Sequence, residues 1–140
     1  MSEQYSTFQV GDLFFGVEVV KVQEVLRYQE MTRVPLAPDV VQGLINLRGQ
    51  IVTALDMRSR LGLAQRPADM TPMNLVLRSD EGPVSLLVDE IGDVLEVETE
   101  CYERVPETLP TEQRELIAGV CKLDGRLLLV LDTEKAMQLQ

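Results

Sequence analysis

One hundred and forty residues suit one domain of ordinary size, or two very small units sharing a core. Hydrophobic residues make up 45% but aromatics only 4%, with no Trp, so the core must be built on Val, Leu and Ile. The 23 acids against 13 bases give a net charge of −10, the wrong sign for counterion-release binding to nucleic acid or for docking on an anionic membrane surface.

Along the chain, short apolar stretches recur between turn residues, and long helical periodicity is missing. Residues 5–10 and 13–20 flank Gly11-Asp12, a hairpin signal. Residues 21–27 read as a short helix. Residues 40–47 and 50–55 flank Arg48-Gly49, a second tight turn, and Asp56 stands where an N-cap would open a helix over 57–63. Residues 65–72 are the linker-like stretch. Two more hairpins follow, 74–78 with 84–88, and 117–123 with 126–131 around Asp124-Gly125, a dipeptide that tolerates positive φ. Asp132 would cap a last helix over 133–139.

The chain repeats itself. The pattern from Gly43 to Asp56 returns 76 positions on, from Gly119 to Asp132, and the pattern from Val19 to Leu26 returns 69 positions on, from Val88 to Leu95. Each half is then hairpin, connector, hairpin and short helix. Four or five short strands closing on themselves remove exposed sheet edges. The expectation is an all-β protein of one domain, residues 1–140, made of two barrels over about 5–64 and 73–140, with room for strands to exchange between them. The groove between two such units would be a natural binding site.

The chemistry available is narrow. There is no His, which removes Ser-His-Asp and Cys-His catalysis and His-ligated metals. Cys101 and Cys121 are too few for a thiolate zinc cluster. They could form one disulfide; with no leader peptide in view, two reduced, mostly buried thiols and a cytoplasmic setting are the expectation. No apolar run is long enough to span a membrane. Nine acids and no base lie between Ser79 and Glu103, among them Asp89, and Glu96, Glu98 and Glu100 alternate with Leu95, Val97 and Thr99. That pattern is one solvated strand face; it lacks a calcium-loop spacing, and the alternatives are a protein-docking surface or a small acid/base enzyme. Gly43 to Gly49 has neither P-loop nor dinucleotide spacing. Arg58, Arg60 and Arg66 read as a solvated helix face. Arg48, in a tight turn between apolar strands, needs a partner if partly buried, and Glu24 is the candidate.

Several motifs together carry a resemblance: Val22-Gln23-Glu24-Val25, Met31-Thr32-Arg33-Val34-Pro35, Gly43-Leu44-Ile45-Asn46-Leu47-Arg48-Gly49, Leu87-Val88-Asp89-x-Ile91 and Leu131-Asp132. In that order, over about residues 6–137, they resemble the chemotaxis coupling protein family CheW. Thr53 stands where the family often has Pro. The resemblance implies two five-stranded SH3-like barrels packed around a shared core, with no catalytic residue, cofactor or metal. It implies an adaptor between the histidine kinase CheA, through its regulatory domain, and the cytoplasmic tips of methyl-accepting chemoreceptors, with self-association in rings and a place at membrane-associated arrays reached through partners. By the same resemblance Glu24 and Arg48 pair beside the kinase-binding surface. Val19, Val22, Gly43 and the turn of Asn46, Leu47, Arg48 and Gly49 line or support the receptor groove, and Ser85 contributes from the strand opposite. A coupling protein of another chemosensory-type pathway, such as twitching motility, and a detached regulatory domain of the kinase are the other readings.

Overall fold

The computed structural model describes residues 1–138. Eleven strands and three short helices follow one another as β1 (Ser2–Val10), β2 (Leu13–Glu18), β3 (Val22–Leu26), β4 (Val41–Leu47), β5 (Gln50–Asp56), α1 (Met57–Arg60), β6 (Met73–Leu77), β7 (Val84–Val88), β8 (Glu90–Glu98), β9 (Tyr102–Glu103), α2 (Thr111–Arg114), β10 (Ile117–Leu123), β11 (Arg126–Leu131) and α3 (Thr133–Met137). All four hairpins form where the turn residues place them. The Asp56 carboxylate accepts from the Arg58 N–H and that of Asp132 from the Lys135 N–H, each at 3.2 Å, so both helices start at their capping acids. The last helix was expected to reach Leu139, which lies outside the described residues.

One expected helix is a strand. Residues 21–27 become the end of a 3₁₀ turn (Val19–Lys21) and then β3, antiparallel to β6. Val22, Val25 and Leu26 suit a helical stripe, but Val22, Glu24 and Leu26 also suit a period of two, and β-branched residues with a neighbouring edge decide for the strand.

The strands form two mixed sheets, β8-β1-β2-β11-β10-β9 and β3-β6-β7-β5-β4. Among the described residues only β2 with β11 and β5 with β7 run parallel. The repeat sets this arrangement: Thr53 opposite Val84 in one sheet corresponds, by the two offsets, to Leu129 opposite Phe15 in the other. Bulges recur too, between Val41 and Gly43 and between Ile117 and Gly119. Each half of the chain sends its first hairpin to one sheet and its later strands to the other.

Both faces of the inner strands are buried, which explains runs such as Leu127-Leu128-Leu129-Val130-Leu131 in place of a polar/apolar alternation. In β11, Leu129 and Leu131 enter a core shared with Phe8, Phe15, Leu55, Leu75, Leu86 and Val88, drawn from both sheets. Leu128 and Val130 face a smaller cluster with Tyr5, Val97 and Cys121. Ile45, Leu47, Val52 and Val76 form its counterpart in the five-stranded sheet. The Phe8 and Phe15 rings stack at 5.3 Å between centroids within the shared core.

Candidate docking site at the β4–β5 turn

The β4–β5 hairpin turns on two residues, Arg48 at φ 51° and Gly49 at φ 89°. Both are left-handed, as a tight hairpin requires, but only glycine adopts that conformation freely. An arginine there costs about 1 kcal/mol. The Asn46 Oδ1 accepts from the Gly49 N–H at 2.9 Å and steadies the turn.

From this tip Arg48 Nη2 reaches the Glu24 carboxylate on β3, so the expected pair is formed. β3 and β4 are the two ends of the five-stranded sheet. The pair therefore spans the gap that would otherwise leave the sheet open. Below it the connector after β3 adds a single bridge to β4: Thr32 N–H to Leu44 O at 2.9 Å, and Leu44 N–H to Thr32 O at 2.8 Å. Gly43 lies under that connector, and a Cβ there would run into the Thr32 carbonyl and the Met31 side chain. The Arg48 hydrogen bond holds the Glu24 carboxyl below its usual range, and the same bond raises Arg48. Arg48 keeps 70% of its side-chain surface in water and Glu24 21%. Such a pair adds little to stability, and its charged fork stays open to a further partner.

The other expected residues divide by burial. Val19 and Val22 are half-buried, and Val22 packs on the shared core opposite Leu77. Gly43 and Leu47 are buried. Ser85 is wholly buried, and its hydroxyl donates to Asn74 Oδ1 at 2.8 Å while Asn74 Nδ2 donates to the Arg27 carbonyl at 3.2 Å. Ser85 thus cannot touch a partner in this conformation; it braces β7 against β6 from within.

Three residues that the sequence reading passed over stand beside the site. Val20 is 71% exposed and Ile51, opposite Asn46 on the hairpin, 61%. Arg78 Nη1 donates to the carbonyls of Val20 at 2.8 Å and Val22 at 2.9 Å, fixing the 3₁₀ turn and the start of β3. Ile51, Arg78, Val84 and Met137 are among the residues lining a cleft of about 740 Å³ between β5, the β6–β7 turn and α3. Ile51 was findable as the outward member of a strand whose Val52 points inward.

The basic and acidic stretches need correction. Arg58 and Arg66 are not a solvated face, and Asp89 is not a solvated acid. Asp89, 5% exposed, accepts from Arg58 Nε at 3.0 Å and Nη2 at 2.6 Å, from Arg66 Nε at 2.9 Å and from the Gly11 N–H at 2.7 Å. Arg66 Nη2 also reaches Asp56 at 3.3 Å. Burial alone would raise the Asp89 carboxyl, but Arg58, the Gly11 amide and Arg66 outweigh it and hold it at about 2. The linker-like segment is in this way tied through Arg66 to α1 and to the β1–β2 turn. Arg60 is also half-buried, its Nη2 donating to the Lys135 carbonyl at 2.6 Å. Glu96 and Glu98 do face solvent, with Val97 buried between them. Among the described residues no group of three or more His, Cys, Asp or Glu could hold a metal ion.

The model of the CheW-like domain matches residues 4–140. The chain is 31% identical over 137 residues to the chemotaxis protein CheW of Klebsiella aerogenes, covering 98% of this chain and 82% of that one. It is 31% identical over 129 residues to the probable chemotaxis protein CheW of Rhizobium etli, 91% and 82% covered. Among solved structures, the scaffolding protein CheW of Thermoanaerobacter tengcongensis superposes with a TM-score of 0.84 at 23% identity, covering 94% of this chain and 90% of that one, which fixes the fold as a pair of SH3-like β units. With its family match spanning nearly every residue, the chain belongs to the CheW-like family of non-catalytic scaffold proteins.

Proposed function

We propose that the protein couples a CheA-type histidine kinase to methyl-accepting chemoreceptors, working at the cytoplasmic face of receptor arrays that it reaches through its partners. The observation that carries this reading is the Glu24–Arg48 pair on a strained turn in a chain of this family. A left-handed arginine whose own side chain stands largely in water gives the fold little, so its placement is best explained by what it presents to a partner. Around it Val20 and Ile51 supply exposed apolar surface of the kind that accepts one face of an amphipathic helix, as a receptor's hairpin tip would offer, and the 740 Å³ cleft beside Ile51 adds a wall of mixed polar and apolar side chains. Val19 and Val22 would line that surface, with Gly43, Leu47 and Ser85 supporting it from behind. Among the described residues no helix is long and apolar enough to cross a membrane.

A second reading has its own observation. The chain is also 36% identical over 55 residues to the protein FrzA of Myxococcus xanthus, 39% of this chain and 34% of that one, and a coupling role in another chemosensory-type pathway, such as twitching motility, is that reading.

Calorimetric titration with the regulatory domain of CheA from the same cell, beside an Arg48→Glu variant, tests the proposal. Binding by the wild type that the folded variant loses is expected. Binding by both would remove Arg48 from the kinase surface, and binding by neither would turn the reading toward the second pathway.

A further inference from the structure

Cys101 and Cys121 lie outside everything assigned to docking, and the fold brings them together. Cys121, 1% exposed, stands on β10 opposite Tyr102 of β9, and Cys101 is the residue before Tyr102, at the end of a 3₁₀ turn (Thr99–Cys101). Both pack in the same small cluster with Tyr5 and Val97, and both are free thiols. Cys101 packs against the cluster that holds Cys121, and its thiol faces that of Cys121, the approach a disulfide needs. Cys101 is half-buried where Cys121 is enclosed, and a cavity of about 220 Å³ lined by Tyr5, Val97, Thr99, Tyr102 and Cys121 opens beside Cys121. Burial, and then the facing Cys101 thiol, push the Cys121 thiol up to about 12. Cys121 therefore stays protonated near neutral pH, and Cys101, the more exposed of the two, is the thiol that an oxidant meets first.

We infer that Cys101 and Cys121 form a redox-responsive pair, closed to an internal disulfide by a small hydroperoxide and reopened by a dithiol. The Cys101 sulfur attacks the peroxide and becomes a sulfenic acid as the O–O bond breaks and the first water (or alcohol) departs. The Cys121 sulfur then attacks the sulfenic sulfur, its proton leaving with the hydroxyl as a second water. Two thiols are oxidised and one peroxide is reduced. The bridge pins β9, which holds the end of the six-stranded sheet by only two residues, and closes the segment carrying α2 into a loop. That loop restrains the unfolded chain.

The test uses the full chain, treated with hydrogen peroxide while folded, then alkylated and mapped without reductant. A loss of two hydrogen atoms in mass, a linked peptide joining 101 to 121, a raised thermal midpoint and reversal of all three by dithiothreitol are expected. In Cys121→Ser, dimedone should label Cys101. Two thiols that both remain alkylatable after treatment, or dimers linked through Cys101 in place of the internal bridge, would overturn the inference. The wild-type map decides the matter even where the buried serine weakens the fold.

Discussion

At the scale of single residues, charges decide most. Asp89 is held by two guanidinium groups and one amide inside the fold. Its carboxyl, ordinarily near 3.8, sits at about 2, so the folded form binds the proton less readily than the unfolded one. The stability this contributes, about 2 kcal/mol, is present above the unfolded value and drains away as pH falls from about 4 toward 2. In urea titrations, Asp89→Asn should be less stable than wild type near neutral pH, and the gap should narrow across that acid window; a constant gap would mean that the carboxylate charge is not what holds the cluster. Arg58→Ala removes one partner and leaves a buried charge under-compensated, a loss of about 3–5 kcal/mol that the same titration would read. None of this was legible in the sequence, where Arg58 and Arg66 read as a solvated helix face and Asp89 as one acid of an acidic run. Burial of a charge is set by partners 23 and 31 residues away, and local spacing carries no trace of them.

At the scale of elements, the β4–β5 hairpin separates what the fold needs from what the proposed docking would use. Arg48→Gly frees the turn of its left-handed side chain and should leave stability unchanged or raise it by up to about 1 kcal/mol, while kinase binding falls. A clear drop in thermal midpoint would instead give the Glu24–Arg48 pair a structural role. Gly43→Val should act the other way. Its side chain would push the Thr32 connector off the edge of β4, costing about 1–3 kcal/mol and exposing the Thr32 and Leu44 amides to faster hydrogen exchange. The four hairpins were readable because Gly and Asp at turns act locally. β3 was not, since Val22, Val25 and Leu26 fit a helix as well as a strand, and only its pairing with β6 settles the matter.

At the scale of the whole molecule, the repeat was legible but its consequence for sheet order was not. Nothing local says that β1 and β2 will pair with β8 and β11 while β3, β4 and β5 go to β6 and β7. The parallel contacts of β2 with β11 and β5 with β7 join strands far apart in the chain, and hydrophobic period alone fixes which face is buried, not which neighbour is chosen. One core serves both sheets: Phe8 and Phe15 come from one, Leu75 and Leu86 from the other. Unfolding should therefore be a single transition. Leu75→Ala, costing about 2–5 kcal/mol, should shift the calorimetric midpoint of the entire protein while the calorimetric and van't Hoff enthalpies stay equal. The exchange makes a stronger prediction. A fragment of residues 1–68 holds β1 and β2 without β8 or β11, and β3 to β5 without β6 or β7, so every long-range ladder it needs is on the missing half. Alone it should lack the far-ultraviolet dichroism of a sheet protein, and so should residues 69–140. Mixed in equal amounts, the two should recover that spectrum and elute together, because each supplies the strands the other lacks. Independent folding of either fragment would mean that its hairpins can pair within their own half, against the sheet order seen in the intact chain.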